Sequence, residues 1–202
     1  FCVSLREIIE EAGYTCNLNI SPSLQRFNER YYFSGKYISD DELYKLLIEV
    51  EKVNREKSIS FHEIITAAWI LHASRNKSDV NIMEAGALFR LDSSNVFKKN
   101  ICSVVMPIGI DHRDFLKRGT IDEIVYEKCS HLLNGSKIII SEQKNNVIEK
   151  IKKNINENSS EKILFSKDYS YEKKSNGFVY KDKMGEINLP SPNLCGDFQI
   201  SN

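Results

Sequence analysis

Apolar residues fall at helical spacing over residues 3–13, where Val3, Leu5, Ile8, Ile9 and Ala12 share one side and Gly13 supplies a stop. The period then shortens to an alternation over 14–20 that ends at Ser21-Pro22, which predicts a strand running into a loop. Residues 27–38 mix aromatic and polar side chains around a Ser34-Gly35 turn. Ser39-Asp40-Asp41-Glu42 opens a helix over about 40–55, with Ser39 as N-cap and an acidic first turn. A third helix starts at Ser60, with Glu63 as its capping-box partner, and carries Ile64, Ile65, Ala68, Trp69 and Leu71. Three short apolar runs follow, 80–84, 101–108 and 137–141, separated by helix-compatible stretches. That alternation predicts an α/β fold, a three-layer, mostly parallel sheet with flanking helices. Beyond a helix over 145–156, short strands at 162–166, 177–181 and 186–189 form a small β region near the C-terminus, with turns at Asn176-Gly177 and Met184-Gly185. Residues 190–202 contain two prolines and Gly196 and read as the approach to a linker. No internal repeat is present.

Composition narrows the class. The 202 residues carry 28 Lys plus Arg and 28 Asp plus Glu, a net charge of zero, with 41% hydrophobic residues. A chain of this size can enclose a core, and its neutral balance lacks the footprint of a general nucleic-acid or polybasic membrane binder. No apolar run reaches the roughly 18 residues of a membrane span. Cys2, Cys16, Cys102, Cys129 and Cys195 are odd in number and never spaced C-x-x-C, which disfavours a disulfide framework and a structural zinc site and points to a reducing, cytoplasmic setting. Phe1 in place of Met leads us to expect part of a longer chain.

In parallel sheets ligands bind at the carboxyl ends of strands, and three such ends carry chemistry. Ser21 offers a hydroxyl to a hard cation, or else stabilises a Ser-Pro turn with it. Glu84 closes the run Val80-Asn81-Ile82-Met83 in the manner of a Walker-B acid, a pattern shared with ordinary strand exits. His112, in Gly109-Ile110-Asp111-His112, could ligate a metal through a neutral ring nitrogen or serve as a hydrogen-bonded structural residue. His62, His72 and His131 lie in predicted helices and read as structural or solvated.

These ends and the sequence between them carry a resemblance. The chain resembles the folylpolyglutamate synthase and dihydrofolate synthase family, relatives of the Mur ligases. The family's Ser-Pro-His-Leu and Phe-Asn-Glu-Arg are similar to Ser21-Pro22-Ser23-Leu24 and Phe27-Asn28-Glu29-Arg30. Its Ile-Ser-Asp-Glu-Glu-Leu is similar to Ile38-Ser39-Asp40-Asp41-Glu42-Leu43, and its Thr-Phe-Phe-Glu to Ser60-Phe61-His62-Glu63. Its glycine-rich Glu-Val-Gly-Leu-Gly-Gly-Arg-Leu-Asp-Ala-Thr-Asn aligns with Glu84 to Asn95, Gly-Leu-Asp-His with Gly109 to His112, and Arg-Glu-Lys-Ala-Gly with Tyr126-Glu127-Lys128-Cys129-Ser130.

The resemblance implies a Mur-ligase central, P-loop NTPase-like domain over 1–189, with 190–202 leading to a glutamate-ligase domain. It implies an ATP-dependent ligase joining glutamate to a folate or pteroate carboxyl through an acyl phosphate, with Mg2+ and ATP as cofactors. By the match, Ser21 and Glu84 would ligate one magnesium, and Glu84, His112 or a carbamylated Lys128 would serve a second. The family's first strand and its phosphate loop are missing, since no G-x-x-G-K-[ST] occurs in the chain. Ser23 replaces the family's His, Leu88-Phe89 its Gly-Gly, and Cys129-Ser130 its Ala-Gly. We therefore expect no activity from these residues alone. The alternatives are a non-catalytic module pairing through sheet edges with a complementing fragment or another copy, and a piece trimmed from an intact enzyme.

Overall fold

The computed structural model describes residues 1–155 and 160–201. The expected helix end at Asn156 and the last linker residue, Asn202, lie outside the described residues. The chain divides into two compact units: Phe1–Ala87 with Leu91–Val96, and Leu88–Arg90 with the chain from Phe97 onward.

The first unit holds α1 (Cys2–Glu11), β1 (Cys16–Asn19), β2 (Tyr31–Phe33), β3 (Lys36–Tyr37), α2 (Asp40–Asn54), α3 (Phe61–Arg75) and β4 (Val80–Met83). Its sheet runs β3-β2-β1-β4. β1 and β4 are parallel, with Leu18 opposite Ile82 and Asn19 opposite Met83. The aromatic stretch folds into the antiparallel β2–β3 hairpin, whose turn residues Ser34 and Gly35 both have positive φ, 41° and 97°, as a two-residue hairpin turn requires. Strand alternation then sorts the side chains. Cys16, Leu18, Tyr32 and Ile82 face Leu5 and Ile9 of α1. Tyr31 and Phe33 point the other way, into Leu43, Leu46 and Val50 of α2 and Ile65, Ala68 and Trp69 of α3. The result is three layers with the sheet in the middle.

Capping fixes where the helices begin. Ser39 and Ser60 each accept the N–H of a glutamate three residues on, and each glutamate carboxylate accepts the serine N–H in return.

The second unit holds β5 (Cys102–Val105), α4 (Ile121–Cys129), β6 (Lys137–Ile140), α5 (Asn145–Asn154), β7 (Lys162–Leu164), β8 (Tyr169–Lys174), β9 (Gly177–Asp182) and β10 (Gly185–Pro190). β5, β6 and β7 are parallel, and Val105, Ile138 and Ile140 pack on Ile124, Val125, Val147 and Ile151 of the two helices. β8, β9 and β10 form the small antiparallel sheet. The α/β class with parallel strands, flanking helices and a small β region near the C-terminus is thus as read from the sequence.

Three expectations need correction. The stretch between β4 and β5 is turns and bends, not helix, because Asp92 spends its carboxylate on backbone N–H groups, the local competition that disfavours helix. β8 was not expected: its exposed Glu172, Lys173 and Lys174 give no buried alternation, and pairing with β9 makes it a strand. His131 lies past the end of α4, whose C-cap is Ser130, and its Nδ1 is 2.8 Å from the Ser130 hydroxyl.

All five cysteines are free thiols, with Cys16 and Cys129 buried. Among the described residues, no helix is long and apolar enough to cross a membrane.

Candidate functional site

The parallel register of β1 and β4 brings their carboxyl ends side by side. The Glu84 N–H donates to Asn19 O at 3.0 Å, extending the ladder one step past the strands. Two residues past Asn19, the Ser21 N–H donates to Glu84 Oε2 at 2.6 Å. The structure therefore brings Ser21 and Glu84 together, and the bond it shows between them is made by the serine backbone. Cys2, in the first turn of α1, is near the same carboxylate: burial raises its thiol to about 11, with the Glu84 charge adding to the rise.

Behind this tip the chain makes a tight loop. Asp92, its side chain only 6% exposed, accepts N–H groups from Gly86 at 3.1 Å and Ser94 at 2.8 Å. His62 of α3 brings a buried Nε2 to 3.5 Å from Asp92 Oδ2, and no hydrogen bond is made by that nitrogen. Ser93 donates to the Thr66 hydroxyl of α3 at 2.9 Å. A Cβ on Gly86 would fall 2.3 Å from Asp92 Oδ2 and 2.8 Å from His62 Nε2, so only glycine fits there.

His112 and Lys128 belong to the second unit. His112 has φ 52° and precedes the short 3-10 turn Arg113–Phe115, with Nε2 3.5 Å from Asp111 Oδ2. Lys128 is half-buried in the last turn of α4, between Glu127, which is paired with Arg90, and the buried Cys129. Burial raises the Cys129 thiol to about 12. Among the described residues, no group of three or more His, Cys, Asp or Glu side chains is placed to hold a metal ion. Glu84 and the Ser21 hydroxyl are hard oxygen donors, the set that suits magnesium, which keeps several waters and takes few protein ligands.

Comparison with known proteins places the chain in a family. The dihydrofolate synthase/folylpolyglutamate synthase of Buchnera aphidicola subsp. Schizaphis graminum is 32% identical over 146 residues, 71% of this chain. That of Bacillus subtilis is 35% identical over 142 residues, 67% of this chain. The chain belongs to the folylpolyglutamate/dihydrofolate synthase family. A solved FPGS-AMPPCP-folate complex shares the fold, with a TM-score of 0.85 at 24% identity over 99% of this chain. The matches span 34% and 33% of the two relatives and 51% of the solved chain. No protein-family model matches.

Within the segment from Glu84 to Asn95, sequence reasoning singled out the first glutamate and passed over Arg90 and Asp92. Both take part in the loop's tightest polar contacts. The signal was a glycine two residues after a strand tip followed by an acid in a serine-rich turn, a pattern that marks a loop folded on its own side chain.

Proposed function

We propose that the chain is the ATPase-like part, over residues 1–189, of an ATP-dependent ligase that joins glutamate to a folate or pteroate carboxyl through an acyl phosphate. Residues 190–202 act as a linker in this reading. The observation that carries it is the meeting of Ser21 and Glu84 at adjacent parallel strand tips, in a chain of this family. The Ser21 hydroxyl and Glu84 carboxylate would hold one magnesium, with His112 or a carbamylated Lys128 serving a second. Bound magnesium supplies neutralisation and alignment of phosphoryl oxygens. The chain's own residues do the rest: the Ser21 N–H orients the carboxylate, and the Gly86–Asp92 turn holds the following loop. In the absence of a G-x-x-G-K-[ST] cradle in these 202 residues, we expect no turnover from them alone.

The test has two arms. Manganese titration followed by NMR should broaden the Ser21 and Glu84 amides, and not in Glu84→Gln; amides that stay sharp in the wild type sink the cation assignment. Calorimetry with Mg-ATP should give no micromolar binding, and such binding would overturn the expected inactivity.

A second reading is favoured by the sheet edges. β4 is last in its sheet and β5 is first in its own, so each is hydrogen-bonded on one side. Such edges are templates for another strand, from a complementing fragment or a second copy of the chain. Light scattering and co-purification decide it, since a lone monomer without partner leaves the idea unsupported.

A further inference from the structure

The last turn of a helix leaves carbonyls that have no partner within it. In α4 one of these, Glu127 O, is taken by residues far back in the chain: the N–H groups of Phe89 and Arg90 donate to it at 3.3 and 2.8 Å. The Arg90 side chain then closes on the carboxylate of the same residue. Its Nε donates to Oε1 at 3.0 Å and Oε2 at 2.9 Å, and Nη2 lies 2.9 Å from Oε1. The pair is largely withdrawn from water, at 28% and 15% exposure, and the guanidinium sits 5.6 Å from the Tyr126 ring centroid. One residue of α4 is thus gripped by backbone and side chain together, by two consecutive residues 37 and 38 positions earlier in sequence.

The gripped carbonyl belongs to the peptide bond that leads into Lys128. Holding it fixes the plane from which the Lys128 backbone departs, at a helix end that would otherwise fray. A planar guanidinium is needed for this, because a lysine ammonium offers charge without the fork.

We propose that Arg90 is a positioning residue that, through Glu127, sets the direction in which α4 presents Lys128. The proposal rests on the reading of Lys128 as a site residue. It adds that Phe89 and Arg90 cap the helix end that carries Lys128.

The test measures the Lys128 amine itself. The 202-residue chain is pulsed with acetic anhydride, and acylation is read by mass spectrometry, with exposed Lys45 as reference. In Arg90→Ala, Lys128 acylation should rise about threefold or more over Lys45, as the helix end opens locally. Glu127→Gln should shift it the same way, and Arg90→Lys should give an intermediate rate. An ion pair with only a local role would leave Lys128 labelling unchanged in folded Arg90→Lys and Glu127→Gln chains, and that result overturns the proposal even if Arg90→Ala fails to fold. A shifted Lys128 rate in a chain whose Ser21 and Glu84 amides ignore manganese supports the positioning role while removing the cation assignment at Ser21 and Glu84.

Discussion

Ser21 donates its backbone N–H to the Glu84 carboxylate at 2.6 Å, across two parallel strands that end in register. The contact is local in space and distant in sequence, and it places an acid at a strand tip with its hydroxyl neighbour alongside.

That acid also bears on Cys2. Burial is the larger cause of the raised thiol, and the Glu84 charge pushes the same way. Removing the charge in Glu84→Gln lowers the Cys2 pKa, so the thiolate fraction at pH 9 rises. Maleimide labelling of Cys2 should speed up by a few-fold, with exposed Cys195 unchanged. Equal rates in the two proteins would show that Glu84 does not act on the thiol.

Gly86→Ala should destabilise the first unit by about 1–3 kcal/mol, because the new methyl meets Asp92 Oδ2 at 2.3 Å in a side chain already fixed by two N–H donors. Urea unfolding followed by Trp69 fluorescence measures this directly.

Tyr31→Phe removes a hydroxyl that donates to Ile65 O, a carbonyl inside α3, at 2.6 Å within the core. The expected loss is about 1 kcal/mol, seen as a lower urea midpoint with an unchanged slope. Tyr32→Phe, which removes the hydroxyl donated to the Glu10 carboxylate at 2.9 Å, should cost a similar amount.

Acid should weaken the first unit through its capping carboxylates. The hydroxyl and N–H of Ser39 hold Glu42 below the usual carboxylate range, and the same groups of Ser60 hold Glu63 there. A depressed folded pKa means that the unfolded chain binds the proton more readily. The stabilisation is therefore present above the unfolded value near 4.5 and is lost as pH falls through the lower folded values. The urea midpoint should drop from pH 6 to pH 3, with a flatter slope in a Glu42→Gln, Glu63→Gln double variant; equal slopes would remove these two groups from the acid response.

Much of this was readable along the chain. The Ser39/Glu42 and Ser60/Glu63 boxes announce their helices because capping is settled within four residues, and the runs at 80–84, 101–108 and 137–141 contain β4, β5 and β6. The loop from 85 to 100 was misread because its helix-compatible composition does not reveal that Asp92 turns back onto Gly86. β8 escaped because its polar residues acquire strand character only from β9.

The amino-acid order by itself determined the α/β class, the helix starts, the strand-tip acid and the family, since periodicity, caps and motifs are encoded over short windows. Only the folded chain decided that Ser21 meets Glu84 through its N–H, that Asp92 is enclosed by Gly86, Ser94 and His62, and that Arg90 grips Glu127. Those pairings join residues brought close by strand register and helix packing, and such distances are set by the whole chain closing on its cores.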